Sequence, residues 1–224
     1  ETHHIGAKTW AELFHRFPNA RHVGLSATPL TPMGGGLGDF YSAIVQGPPP
    51  AWLIENKALC PYRLFAPCIP NLKGVHTVAD DYNRKELAQV MDTPTITGEA
   101  VAEYQKLAHG KPFLAFCASI EASEHAAKKF REAGYRVEHV DGDTPADVRD
   151  ARIDAYQAGE LDGICSVDIF TEGTDLPGVE CIIQLRPTQS LRIYLQMVGR
   201  GLRYQPGKVC IILDNAGNWI VHGL

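Results

Sequence analysis

Residues 112–140 read PFLAFCASIEASEHAAKKFREAGYRVEHV, and this stretch decides the fold class. It contains two apolar runs, at 112–118 and 135–140, separated by a helical pattern that Ser119 can cap and Gly134 can end. Three more apolar runs follow along the chain, at residues 163–167, 181–185 and 209–214. These runs are nearly continuous rather than alternating, which is typical of strands that helices cover on both faces. The sequence therefore predicts a parallel sheet in an α/β fold.

Two further helices are predicted between these strands. Pro145 suits the first turn of a helix that runs towards Tyr156 and stops near Gly159. A second helix is predicted from an apolar stripe at positions i, i+3, i+4 and i+7, formed by Leu191, Tyr194, Leu195 and Val198.

The first part of the chain is organised differently. It offers one helical pattern ending at Phe17, one apolar strand at 22–26, and then a segment whose glycines and prolines exclude regular structure. Gly47-Pro-Pro-Pro50 introduces a stiff extended stretch, so we expect a domain boundary near residues 46–60. One strand and one helix cannot form an independent core, so this piece is expected to belong to a larger domain.

Composition narrows the class of protein. The 224 residues are 45% hydrophobic and carry a net charge of −5, which argues against a uniformly basic nucleic-acid coat. No apolar run reaches the roughly 18–20 residues of a membrane span, and the Glu-Thr-His-His start lacks an initiator Met and a signal peptide. The six cysteines lack zinc-knuckle spacing, so we expect no metal site and structural thiols in a reducing cytosol.

The positive charge is concentrated near the end of the chain. No Asp or Glu lies between Cys181 and Leu213, whereas this segment contains Arg186, Arg192, Arg200, Arg203 and Lys208. Gln196, Arg200 and Arg203 are spaced i, i+4 and i+7, which would place them on one face of a continuous helix. Guanidinium groups held in this way suit phosphate oxygens. The alternative is a basic helix end that complements its own dipole.

The loop at residues 170–177 is the second candidate site. It follows a predicted strand directly, so it places Thr171, Gly173 and Asp175 at the carboxyl end of a parallel sheet, where such folds bind ligands. Glycine lets backbone amides approach a phosphate or ribose, and Asp175 can accept a hydrogen bond from a hydroxyl group. The alternative is an ordinary connection between a strand and a helix.

Taken in order, these segments resemble the back end of a superfamily 2 helicase of the DEAH/DExH type. The matching segments are Glu1-Thr-His3 with the end of the D-E-x-H box, Gly24–Pro29 with motif III, Phe116–Ser119 with motif IV, Thr171–Pro177 with motif V and Gln196–Arg203 with motif VI. The end of the chain resembles RadD-like and phage-type DNA helicases through Leu213–Asn218 and His222-Gly223. The resemblance implies a RecA-like second domain, similar to P-loop NTPases, at 63–224. A linker at 47–62 and a remnant of the first RecA-like domain at 1–46 would precede it.

The resemblance also implies roles around the nucleotide. Glu1 would activate the attacking water, and His3 would link the nucleotide site to the rest of the motor. Arg200 and Arg203 would reach the γ-phosphate as arginine fingers. The implied nucleotide-binding residues are Gly173, Asp175, Gln196, Arg200 and Arg203.

Coupling and nucleic-acid contacts are implied elsewhere. Ser26, Ala27 and Thr28 would couple hydrolysis to domain movement. The implied contacts with the nucleic-acid backbone are Ser119, Thr144, Thr171 and Arg186. Such contacts position a strand without reading its bases, so little base specificity is expected.

The departures from the family pattern concern the phosphate cradle. The chain contains no G-x-x-x-x-G-K-[ST] sequence, and no Asp precedes Glu1. We therefore expect the intact parent to use ATP and Mg²⁺, and this chain alone to bind no cofactor tightly and to hydrolyse no ATP. The expected partners are the DNA or RNA backbone and the missing first RecA-like domain, with no membrane, in a bacterial or phage-type cytoplasm.

Two alternatives remain at this point. The chain could be a non-catalytic nucleic-acid-binding or regulatory module that acts through residues 186–208. It could also be an unrelated α/β enzyme that uses an acidic run, formed by Asp141, Asp143, Asp147, Asp150 and Asp154. A solvated loop and helix face explain that run more simply.

Overall fold

The computed structural model describes residues 12, 15–26, 36–79, 81–171 and 176–223, with the backbone alone for Pro94 and Thr171. The chain divides into two compact units, residues 1–49 and 50–224. The division falls inside the predicted linker.

In the first unit, the prediction of a buried strand at 22–26 is wrong. Residues 21–26 have no regular structure, and Val23 and Leu25 are 85% and 79% exposed. The physical reason is that a strand needs a neighbouring ladder, and no strand in the described part of the chain pairs with this segment.

The second unit is built on a six-stranded sheet in which every strand pair is parallel. The spatial order is β1-β8-β7-β4-β6-β5. The six strands are β1 (Tyr62–Phe65), β4 (Phe113–Cys117), β5 (Val137–Val140), β6 (Gly163–Ser166), β7 (Cys181–Leu185) and β8 (Cys210–Asp214). A separate antiparallel hairpin consists of β2 (Thr77–Val78) and β3 (Asp81–Tyr82). The five predicted strands and the parallel α/β class are confirmed.

The helices of this unit are α1 (Pro50–Glu55), α2 (Arg84–Met91), α3 (Pro94–Leu107), α4 (Ile120–Glu132), α5 (Ala146–Gln157), α6 (Leu191–Gly201) and α7 (Asn218–His222). Ser119 caps α4 as predicted, and Gly134 follows its end with a φ of +92°. None of the helices in the described ranges is long and apolar enough to span a bilayer.

The core lies on both faces of the sheet because successive side chains of β4 point to opposite sides. Phe113 and Ala115 pack in one cluster with Tyr104 of α3 and Phe130 of α4. Leu114 and Phe116 pack in the other, a cluster that contains Tyr194 and Met197 of α6. The helices thus cover both faces, as the apolar strand sequences require.

Residues 50–62, expected to form a linker, differ from that expectation. Residues 50–55 form α1, Leu59 makes an isolated bridge with Arg203, and Cys60 is fully buried. Tyr62 then starts β1, which pairs with β8. This segment is ordered because the edge of the sheet supplies hydrogen-bond partners for it.

The apolar stripe predicted for α6 is half correct. Tyr194 and Val198 are buried, but Leu191 and Leu195 are 43% and 41% exposed. Met197 takes their place in the core. The helix therefore faces the sheet through a neighbouring stripe, which ends at Gly201.

Candidate nucleotide and nucleic-acid sites

The last turn of α6 lies directly against the sheet. A Cβ atom added at Gly201 would lie 2.5 Å from Cys210 Sγ and 2.7 Å from Ile182 Cγ1. Any side chain larger than hydrogen would push the helix away from β7 and β8. Gly201 therefore fixes the distance between the sheet and the preceding residue of the helix, Arg200.

The chain immediately after α6 is held from two sides. Cys60 N donates to Leu202 O at 2.9 Å, and Lys208 Nζ donates to Arg203 O at 2.9 Å. Lys208 is 7% exposed, and burial lowers the pKa of its ammonium group. Together with the bridge between Leu59 and Arg203, these bonds fix the backbone at Arg203.

Gln196, Arg200 and Arg203 do not share one helical face. Gln196 and Arg200 are one turn apart on α6, and both are half-buried. The helix ends at Gly201, so Arg203 projects from the bridged segment beyond it. The continuous helix assumed from the spacing is wrong at this residue, because the chain turns away to pair with Leu59. Gln196 Oε1 accepts a hydrogen bond from Arg192 Nη1 at 3.5 Å.

The start of α6 is held by the end of the chain. Asn218, which is 1% exposed, accepts from Thr188 N at 2.9 Å and donates to Gln184 Oε1 at 3.1 Å and Arg186 O at 3.0 Å. His222 Nε2 donates to Thr188 O at 2.8 Å, since a carbonyl can only accept. The His222 ring stacks on Tyr194, with centroids 4.7 Å apart. Both ends of α6 are therefore anchored.

Two predicted nucleic-acid contacts lie in loops at the carboxyl edge of the sheet. Ser119 Oγ accepts from Ala122 N at 3.1 Å at the start of α4. Thr144 Oγ1 donates to Asp141 Oδ1 at 2.7 Å and accepts from Asp141 N at 3.0 Å. Each hydroxyl group thus also stabilises its own loop.

Asp141, a member of the acidic run, organises the same loop. Its carboxylate bonds Thr144 and, at 3.0 Å, His139 Nε2. Burial alone would raise the pKa of Asp141, but the hydrogen bonds from Thr144 and His139 hold it below its usual value. Among the described residues, no cluster of three or more His, Cys, Asp or Glu side chains could hold a metal ion.

Arg186, the fourth predicted nucleic-acid contact, is 7% exposed. Its guanidinium group bonds Asp168, and its Nη2 lies 3.2 Å from Asp81 Oδ2. Two carboxylates thus hold this side chain inside the protein. The placement does not favour a direct contact between Arg186 and nucleic acid.

A groove of about 870 Å³ lies above the carboxyl edge of the sheet. Its lining includes Ser119, Asp168 and Arg186 on the sheet side, and residues of α2 on the other side. The groove therefore lies where ligands bind in parallel α/β folds, beyond the carboxyl ends of the strands.

Residues 97–205 match the family described as helicase conserved C-terminal domain. The chain is 36% identical over 224 residues to a 51.5 kDa protein of a Lactococcus phage (isolate 7-9). It is 29% identical over 228 residues to a Saccharomyces cerevisiae protein named as the ATP-dependent helicase IRC3. By this match, the chain contains a helicase conserved C-terminal domain at residues 97–205. The alignments cover 100% and 97% of this chain but 49% and 33% of the two relatives, so the chain spans half of their length or less.

The helicase C-terminal domain also has a structural neighbour. Its fold is similar to a fragment of an HsdR subunit of a type I restriction enzyme from Vibrio vulnificus YJ016, with a TM-score of 0.74. The identity is 18%, over 98% of this chain and 45% of that one. This likeness concerns the fold alone.

The site residues of the helicase domain are only partly described. Glu1, His3, Ala27, Thr28, Gly173 and Asp175 lie outside the described residues, as does the side chain of Thr171. Ser26 is half-buried in the first unit. The roles inferred for all of these residues stay predictions.

Three residues that support the site carry no role in the sequence analysis. Lys208 holds the Arg203 carbonyl, and Asn218 and His222 hold the start of α6. Asn218 and His222 lie beyond the matched range 97–205. The density of small and polar residues in 214–218 was the available signal, because such a buried stretch must satisfy its polar groups internally.

Proposed function

We propose that this helicase C-terminal domain belongs to an ATP-dependent translocase or helicase that moves along DNA. The observation that carries the proposal is the fixed end of α6, where Gly201 and Lys208 hold the backbone beside Arg200 and Arg203. Arginines that stabilise a transition state must be positioned before the reaction, and both ends of this helix are anchored. DNA rather than RNA is proposed from the RadD-like and phage-type resemblance.

Arg200 and Arg203 would act on the γ-phosphate of ATP bound to the first RecA-like domain of the parent protein. Phosphoryl transfer spreads negative charge over the equatorial oxygens, and a guanidinium group offers paired donors to such oxygens. Glu1 would orient the attacking water in that parent, and Mg²⁺ would supply positive charge that stabilises the phosphate oxygens. Gln196 and the 173–175 loop would contact the nucleotide from this domain.

The carboxyl edge would hold the nucleic-acid strand. Ser119 and Thr144 have hydroxyl groups in the loops after β4 and β5, and Thr171 follows β6. Hydroxyl groups in such loops suit phosphate and sugar oxygens rather than base edges. The proposed binding is therefore independent of base sequence.

The arginine roles are tested by Arg203→Ala in the parent protein. Loss of the arginine finger should lower nucleic-acid-stimulated ATP turnover by at least about 10³-fold, whereas the circular dichroism spectrum should not change. Arg149→Ala on α5 is the matched control and should turn over ATP normally.

Unchanged turnover in Arg203→Ala would contradict the arginine-finger role. A parent protein that binds nucleic acid but never hydrolyses ATP would instead support a non-catalytic binding module.

A further inference from the structure

The hairpin β2–β3 and helix α2 are fastened to the carboxyl edge of the sheet. Asp81 at the start of β3 accepts from Gln189 N at 2.9 Å and pairs with the buried Arg186. Thr77 Oγ1 donates to Gln189 Oε1 at 3.0 Å. Asp168, two residues after β6, pairs with Arg186 and, at 2.9 Å, with Arg84 Nη1. Arg186 thus connects the sheet to β3 through Asp81, and to α2 through Asp168 and Arg84.

This attachment makes α2 one wall of the groove above the sheet. Arg84, Lys85 and Gln89 line it from α2, and Ser119 and Asp168 line it from the sheet side. Arg84 and Lys85 are exposed. Within the described residues, the Lys85 ammonium group takes part in no ion pair.

The two cations occupy an electrostatically unfavourable place on their own helix. Arg84 and Lys85 are the first two residues of α2, where the helix dipole disfavours positive charge. Glu86 also lies in the first turn, but it bonds His76, through N at 2.6 Å and Nδ1 at 3.0 Å. Helix stability therefore does not explain why cations stand at these positions.

The groove is lined by five carboxylates and three cations, and of these cations Arg84 and Lys85 are exposed whereas Arg186 is buried. Asp168 is engaged by two arginines, Asp92 pairs with His125 at 2.9 Å, and Asp141 accepts from Thr144. Glu121 and Asp143 belong to the sheet side of the groove. Among the residues that line the groove, the exposed cations that a phosphate could contact are therefore those at the start of α2.

We propose that Arg84 and Lys85 bind the phosphate backbone of a single nucleic-acid strand lying in this groove. The inference rests on the proposed function, and it moves the phosphate contact expected of Arg186 to the helix that Arg186 anchors. A flexible Lys and an Arg at an exposed wall bind phosphates without reading bases.

The test is the salt dependence of oligonucleotide binding by the chain. Fluorescence anisotropy of a fluorescein-labelled oligothymidylate gives the binding constant over a salt series. In Lys85→Gln the slope of log K against log salt should become shallower by about 0.7, the value for one lost phosphate contact on a single strand. Binding near 0.1 M salt should weaken by about fivefold, which follows from the same slope.

Lys128→Gln on α4 is the matched control, because Lys128 is also exposed and does not line the groove. It should keep the wild-type slope. Arg84→Gln should change the slope in the same direction as Lys85→Gln. Both substitutions are at exposed positions, so the urea midpoint should confirm that each variant is folded.

The outcomes separate this inference from the proposed function. Wild-type binding with an unchanged slope in Lys85→Gln and Arg84→Gln overturns the α2 contact and leaves the proposed function standing. A wild-type chain that does not bind the oligonucleotide overturns the proposed nucleic-acid contact and the α2 contact together.

Discussion

At Gly201, the absence of one methyl group sets the distance between α6 and the sheet. Gly201→Ala would place Cβ 2.5 Å from Cys210 Sγ, well inside van der Waals contact. We expect the free energy of unfolding to fall by about 1–3 kcal/mol, because the helix must shift or neighbouring side chains must leave their rotamers. Urea unfolding measures the change.

Gly199 provides the control for that substitution. It lies in the same helix, but nothing is within 4 Å of its Cβ position. Gly199→Ala should leave stability unchanged or raise it by up to about 1 kcal/mol through helix propensity. Equal losses for both variants would contradict the packing role assigned to Gly201.

Single charges were the least predictable feature of the site. The sequence places Arg186 in a basic segment, and an exposed phosphate contact is the natural reading of that pattern. Its burial depends on Asp81 and Asp168, which reach it through the fold rather than through local spacing. By contrast, Arg200 could be placed on a helix from spacing alone, because a helical period is local.

Among the elements, the hairpin and α2 depend on one buried side chain. Arg186→Met keeps the apolar stem but leaves Asp81 and Asp168 without their shared cation. Removing one partner of a buried ion pair costs about 3–5 kcal/mol. Hydrogen exchange should therefore speed up at the amides of 81–91, with the sheet amides affected less.

Arg63→Met, at an exposed position of β1, is the control for this experiment. Its exchange pattern over 81–91 should match that of the wild type. Unchanged exchange in Arg186→Met would show that other contacts hold the segment.

The five-residue buried strands could be predicted from the sequence, whereas the two-residue strands could not. The strands β4 and β7 are wholly buried, and their sequences are apolar except at Gln184. The strands β2 and β3 have two residues each, which is too short for any period to show. Their position is decided by tertiary contacts such as that between Thr77 and Gln189.

For the whole molecule, the second unit carries its own core. Both apolar clusters and the six-stranded sheet lie within residues 50–223. A chain shortened to begin at Pro50 should therefore unfold in one urea transition, with the midpoint of the 224-residue chain. A much lower midpoint would show that residues 1–49 stabilise the second unit.

More of the fold than of the candidate site could be predicted from the sequence. The order of apolar runs from residue 112 predicted the parallel sheet, and the family match at residues 97–205 agrees with the resemblance to a helicase. The strand at 22–26 was wrong because apolar character alone cannot supply a neighbouring ladder. The anchors Lys208 and Asn218 were missed because a buried hydrogen bond has no sequence period.

The pairing of β1 with β8 has a consequence for how the chain folds as it is synthesised. Tyr62 lies beside Cys210, so the earliest strand of the sheet must wait for the latest one. Such distant parallel pairings close slowly, because the loop entropy is lost before any contact compensates for it. On the ribosome, β1 therefore leaves the exit tunnel as an unpaired strand. The bridge between Leu59 and Arg203 is then among the last contacts to form.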